Sequence, residues 1–244
     1  MRRVLVAIAL AAIGLVPMPA TAQTTPTCFG QAVTILGTLD DDELIGTTGM
    51  DVMHGLAKDD DLRGDRRRDY VCGGGGDDVL DGGSSGDTMD GGSGADVLLS
   101  DGAGGVEGND VALGGDGDDV FRADRGEDVM RGGLGNDRFV NMAEGSSDFD
   151  TKGDDVIHGG PGNDVMWGRL AGGHHDSYYG DEGDDKLDST AIGHEPPGEA
   201  DLVDGGDGFD QCEVDEDDTV LNCEEVWTGD EIYANWPAND KPHP

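Results

Sequence analysis

The chain has 244 residues, of which 54 are acidic, 15 basic and 44 glycine. With 35% apolar residues and few aromatics it lacks the material for a thick globular core, and a formal charge of −39 opposes binding to nucleic acid or to anionic lipid. That charge also resists compaction unless counterions offset it.

Arg2 and Arg3, the apolar run from Val4 to Val16, the break at Pro17 and the small-residue site Ala20-Thr21-Ala22 predict a secretory signal peptide over residues 1–22 and not a membrane span. The arginine pair also occurs in twin-arginine leaders, but the apolar run starts at once without their polar consensus, which favours the general secretory route. Cleavage after Ala22 leaves 13 basic and 54 acidic side chains. Four cysteines in an exported chain predict two disulfides. Residues 23–36, with Cys28 and the apolar stretch Val33-Thr34-Ile35-Leu36, predict a first strand that caps one end of a repeat stack.

From Gly37 a nine-residue frame runs as GTLDDDELI, GTTGMDVMH, GLAKDDDLR, GDRRRDYVC, GGGGDDVLD, GGSSGDTMD and GGSGADVLL, ending at Leu99. After an interruption near 100–104 it resumes as GVEGNDVAL, GGDGDDVFR, ADRGEDVMR and GGLGNDRFV. Residues 141–149 have the right length but carry Ser146 at the acidic place, and read as a degenerate turn. DTKGDDVIH and GGPGNDVMW come next, then AGGHHDSYY and GDEGDDKLD, and finally PPGEADLVD and GGDGFDQCE, with insertions near 168–170 and 189–195. The repeat therefore spans 37–213. Residues 214–244 supply Val220-Leu221, Cys223, Val226 and Trp227 for a closing strand and cap, before a loose Pro-rich end.

Seventeen of the eighteen frames place Asp sixth, and the same seventeen place an apolar or aromatic residue eighth. A fixed period implies a small unit stacked on copies of itself. A strand of about three residues centred on the eighth place would bury that side chain and expose its two neighbours, with the first six residues forming the turn. The predicted class is all-β, a parallel β-roll or β-helix solenoid in which two units make one coil.

Glycine at the first and fourth places predicts positive-φ turns whose carbonyl oxygens curl inward. Adding the sixth-place carboxylate gives an oxygen ligand set with no repeating His or Cys. That set suits several calcium ions better than zinc or copper, and better than magnesium, which keeps its waters. The predicted metal ligands are Gly73, Gly76, Asp78, Gly91, Gly94, Asp96, Gly105, Gly108, Asp110, Gly114, Gly117, Asp119, Asp128, Gly132, Gly135, Asp137, Asp155, Gly159, Gly162, Asp164, Asp185 and Asp210.

GGDGDDVFR, GGLGNDRFV and GGPGNDVMW match GGxGxDxUx completely, and the chain resembles the hemolysin-type (RTX) calcium-binding repeat family. The resemblance implies a parallel β-roll with calcium held between successive turns by turn carbonyls and the sixth-place Asp. The chain is also similar to small secreted actinobacterial-type members, in which a Cys-Phe-Gly start and a Cys-Glu ending flank the repeats. Departures from the pattern carry their own expectations. Lys58 and Arg67 replace the fourth-place Gly, so Asp60 and Asp69 read as structural turn residues. Ser84-Ser85-Gly86 weakens the site at Asp87, and His174 does the same at Asp176.

Enzymatic readings do not hold. Gly82-Gly83-Ser84-Ser85-Gly86 matches the G-x-S-x-G elbow but falls inside the repeat frame, without a strand-to-helix setting. His174-His175 with Asp176, and His194-Glu195, lack H-E-x-x-H, and the acidic run Glu213 to Asp218 lacks the EF-hand glycine. Signal, repeats and caps leave no room for a catalytic domain. The expected function is a secreted, extracellular, monomeric protein that folds on binding calcium. The alternatives are an exported toxin-like or adhesive surface protein in which the roll is a scaffold, and a non-catalytic relative of a secreted RTX hydrolase. Of the three possible disulfide connectivities, sequence position favours Cys28–Cys72 and Cys212–Cys223.

Overall fold

The computed structural model describes residues 3–5, 26–101, 108–123, 126–141, 153–167, 175–190 and 200–228. Among them every element is a strand, and the strands form two long parallel sheets and one short hairpin. The larger sheet has eleven strands: Arg3–Leu5, Asp42–Ile45, Asp61–Arg63, Val79–Gly83, Val97–Asp101, Val120–Ala123, Arg138–Asn141, Val165–Trp167, Lys186–Asp188, Gln211–Val214 and Glu225–Thr228. The smaller sheet has ten: Ile35–Leu36, Val52–His54, Tyr70–Gly75, Thr88–Ser93, Val111–Asp116, Val129–Leu134, Val156–Pro161, Ser177–Glu182, Leu202–Asp204 and Thr219–Leu221. From Ile35 onward successive strands alternate between the sheets, so two nine-residue units close one coil of a parallel β-roll.

The eighth-place side chains fill the space between the sheets. Leu44, Leu62, Leu80, Leu98, Phe121, Phe139, Met166, Leu187 and Cys212 face inward from one sheet, and Met53, Val71, Met89, Ala112, Met130, Ile157, Tyr178 and Val203 from the other, in one buried cluster. Each strand contributes one such side chain because successive residues point to opposite faces. Neighbours in a column are in register, as in Leu62, Leu80 and Leu98, and the Phe121 and Phe139 rings stack at 4.5 Å.

Strand length departs from expectation in the smaller sheet. There Tyr70–Gly75, Thr88–Ser93, Val111–Asp116, Val129–Leu134, Val156–Pro161 and Ser177–Glu182 run six residues, through the first three places of the next unit. The second-place glycines pair across coils, Gly74 with Gly92 and Gly92 with Gly115, so on that edge the turn shrinks to places four to six.

All four interruptions leave from one edge, after a larger-sheet strand and before the next smaller-sheet strand. Register survives each of them: Met89 pairs with Ala112, Met130 with Ile157, Ile157 with Tyr178 and Tyr178 with Val203. Of the unit 141–149, expected as a degenerate turn, all but Asn141 lies outside the described residues; on either side of it Arg138–Asn141 belongs to one sheet and Val156–Pro161 to the other.

Both disulfides join the expected partners, Cys28 with Cys72 and Cys212 with Cys223. The N-terminal segment is arranged differently from a simple end cap. The hairpin of Thr27–Cys28 and Gln31–Ala32 lies against the outer side of the smaller sheet, where Cys28 packs with Val52, Cys72, Val33 and Tyr70. Only Ile35–Leu36 extends the stack. Most of the segment read as a signal peptide lies outside the described residues, but Arg3–Leu5 pairs in parallel with Asp42–Leu44. Removal of residues 1–22 would leave Asp42–Ile45 as the sheet edge. The described residues contain no helix long and apolar enough to cross a membrane.

Candidate metal centre

Every described sixth-place aspartate from Asp42 to Asp185, together with Asp210, is at most 8% exposed. They stand in two columns, one along each edge of the roll. In the first, Asp60 Oδ1 accepts the backbone N–H of Asp42 (2.7 Å), and Asp78, Asp96, Asp119, Asp137, Asp164, Asp185 and Asp210 each accept the amide of the preceding member at 2.7–2.9 Å. Asp51, Asp69, Asp87, Asp110, Asp128, Asp155, Asp176 and Asp201 repeat the pattern on the other edge. Partners are 18 residues apart in uninterrupted coils and 21 to 27 across the insertions. One oxygen of each carboxylate thus ties two coils together.

The other oxygen has a different fate. Oδ2 of Asp60, Asp78, Asp96, Asp119, Asp137, Asp164, Asp185 and Asp210 in the first column, and of Asp69 in the second, is buried and accepts no hydrogen bond. A carboxylate oxygen left so in a protein interior is costly. Beside it lies a bare glycine face. A Cβ on first-place Gly73, Gly91, Gly114, Gly132 or Gly159 would overlap the Oδ2 of Asp78, Asp96, Asp119, Asp137 or Asp164 and crowd the carbonyl oxygen of the first-place glycine one coil on. At the fourth place, Gly94, Gly117, Gly135 and Gly162 bring their bare Cα atoms onto the carbonyls of Gly76, Gly94, Gly117 and Gly135. Positive φ belongs to the second and fourth places, as in Gly115 (114°) and Gly117 (139°), and not to the first and fourth as the pattern suggested. The first-place glycine is needed for close approach, not for its torsion.

Electrostatics presses the same way. Burial, with the neighbouring carboxylates adding to it and the donated amide opposing it, raises Asp60 and Asp96 to about 6 and Asp69, Asp78, Asp119, Asp137, Asp164 and Asp185 to about 7. Asp155 and Asp201 rise to about 8. Removing water from an anion disfavours its charged form, and a like charge in the next coil adds to the penalty. Among the described residues no three His, Cys, Asp or Glu side chains converge. A cation here would be held by one or two carboxylates and backbone carbonyls, the hard oxygen set that calcium takes in flexible geometry.

The predicted residues are thereby sorted. Asp78, Asp96, Asp119, Asp137, Asp164, Asp185 and Asp210 share the uninterrupted edge, while Asp110, Asp128 and Asp155 share the edge from which the insertions leave, where Gly108 packs on Ser85. Gly105, His174 and the His194-Glu195 pair lie outside the described residues. Asp60, Asp69, Asp87 and Asp176 keep the same amide bonds as the rest despite their altered turns. Ser84 bridges Arg66 in the stack, so Gly82–Gly86 forms no nucleophile elbow.

Three features escaped the pattern. Fifth-place side chains form a surface ladder of opposite sense: Asp77, Asp118, Asn136 and Asn163 accept the amide one coil later, at 2.8–3.0 Å. Asp and Asn recur there often enough to have signalled it. The columns end on Asp218 and Glu224, which accept from Asp201 and Asp210 although they stand outside the nine-residue frame. Asp42 and Asp51 satisfy their second oxygen within their own turns, from the Thr38 amide (2.5 Å) and from the Thr47 amide and hydroxyl (2.6 and 2.9 Å).

No curated protein and no solved structure matches the chain. The model of the RTX calcium-binding nonapeptide repeat matches it in four copies, at residues 36–71, 64–98, 104–139 and 149–170. The roll continues past the last copy through Ser177–Glu182, Lys186–Asp188, Leu202–Asp204 and Gln211–Val214. With the repeats matched and their β-roll and aspartate columns in place, the chain belongs to the RTX calcium-binding nonapeptide repeat family.

Proposed function

We propose that the chain is an exported calcium-binding protein whose roll orders as ions settle between successive turns. The observation that carries this reading is the row of buried, unpartnered Oδ2 atoms from Asp78 to Asp210 beside glycine faces stripped of Cβ. The proposed ligands are the carboxylates of Asp78, Asp96, Asp119, Asp137, Asp164 and Asp185 with first- and fourth-place glycine carbonyls. When bound, calcium supplies the positive charge that these aspartates otherwise lack. It performs no reaction, and the chain's own groups position carboxylates and exclude water.

Extracellular modules bind calcium at about 0.1–1 mM. A site at ten times its Kd contributes about 1.4 kcal/mol to the folded state by mass action, so several sites together offset the repulsion within a chain of charge −39. Circular dichroism with calcium and with chelator tests the reading. Strand signal should fall sharply under chelation, and equal strand content in both would refute it. Titration calorimetry should show fewer calcium equivalents for Asp119→Ala and Asp137→Ala than for the parent chain.

A further inference from the structure

The first two coils are built differently from the rest. In frames 37–45 and 46–54, Thr38 and Thr47 stand where later frames put the second glycine, and their donors occupy the carboxylate oxygens that stay unpartnered from Asp60 onward in the first column. In the next two frames the chain carries cations of its own. Lys58 and Arg67 replace the fourth-place glycine, Arg66 and Arg68 flank Arg67, and Arg68 Nε donates to the carbonyl of Gly86 in the adjacent coil (3.2 Å). Residues 55–72 hold five basic and five acidic side chains, whereas 73–98 hold six acidic and none basic.

These substitutions strain the backbone. Leu56, Lys58, Asp65 and Arg67 sit at φ of 90°, 73°, 81° and 70°, where glycine serves in later coils. Non-glycine residues are held in this region only when the surrounding structure demands it. The same coils carry a covalent tie, since Cys28–Cys72 clamps the hairpin onto Val52 and Tyr70 over the outer side of the smaller sheet.

We propose that the calcium ladder begins only at Gly73: residues 26–72 form a cation-independent end that remains folded when calcium is withdrawn, and residues 73–213 stack on it when calcium returns. This rests on the reading that calcium orders the roll. Within the first copy matched by the repeat family, the threonine donors take the place of ions at Asp42 and Asp51, and the exposed positive charges of Lys58 and Arg66–Arg68 oppose a cation in the turns of Asp60 and Asp69, whose second oxygens stay unpartnered. A preformed end also presents the strands Asp61–Arg63 and Tyr70–Gly75 as a template, so that each later coil adds to existing structure and no fresh nucleus is required.

Hydrogen exchange read by mass spectrometry on the full chain, disulfides intact, tests this. The expected result is that chelation strips protection from 73–213 and leaves it in 26–72. Loss of protection throughout leaves the calcium reading standing and overturns this inference. Protection retained throughout overturns both. A second measurement uses Lys58→Gly combined with Arg67→Gly and Arg68→Asp, which restores the repeat pattern. Residues 26–72 should then lose protection on chelation and the chain should bind more calcium equivalents; a response identical to the parent chain overturns the proposal.

Discussion

The glycines of the repeat look alike in sequence and do three different jobs. Gly114 makes room for the Asp119 carboxylate, Gly115 supplies φ of 114°, and Gly117 combines φ of 139° with a carbonyl pressed onto its Cα. Gly30 also has positive φ, 75°, but nothing lies within 4 Å of where its Cβ would be. Gly30→Ala should therefore cost only the left-handed penalty of about 1–2 kcal/mol, and Gly117→Ala distinctly more. Thermal unfolding at saturating calcium compares them, and equal costs would show that inter-coil packing does not govern the fourth place. Gly114→Ala should weaken calcium binding ahead of stability, because its Cβ displaces the proposed ligand. The nine-residue phase and the sixth-place aspartates were legible in the sequence. The division of labour among glycines was not, because it depends on which atom faces each Cα, a carboxylate of the same turn for Gly114 and a carbonyl of the neighbouring coil for Gly117.

At the scale of the strand, one inward side chain carries most of the packing. Phe121→Ala removes a ring that is 1% exposed and stacked on Phe139, and should cost about 3–5 kcal/mol. Val120→Ser on the outer side should fall within about 0.5 kcal/mol of the parent. Denaturant unfolding in calcium measures both. The eighth-place column was readable from the sequence because the strand period of two leaves one buried position in each short strand. The unequal strand lengths were not, since equal nine-residue units occupy both edges. The smaller sheet gains its six-residue strands where the turns after them are uninterrupted, and the insertions all come after strands of the other sheet.

For the whole molecule, charge sets the response to pH. The folded-state values of Asp78, Asp119 and Asp137 are raised to about 7, above the ordinary carboxylate range. The calcium-free fold therefore binds more protons than the unfolded chain. Its stability rises as pH falls from about 7 towards 4, and is lost as pH rises through the folded values. In chelator, strand content should be greater at pH 5 than at pH 7.5; an unchanged or smaller signal at pH 5 would contradict this. In calcium the same protons compete with the ion, so apparent affinity should fall over that window, which calorimetry at the two pH values measures. The one-sided placement of the insertions gives the roll two edges with different tolerances. Added length on the edge that follows Val165–Trp167 leaves the neighbouring coils in phase, as gaps of 21 to 27 residues already do. The opposite edge is a fixed-pitch scale, with successive carboxylates about 4.8 Å apart, and none of the four interruptions falls on it. Foreign peptides are best displayed from the first edge, and the second is best left untouched.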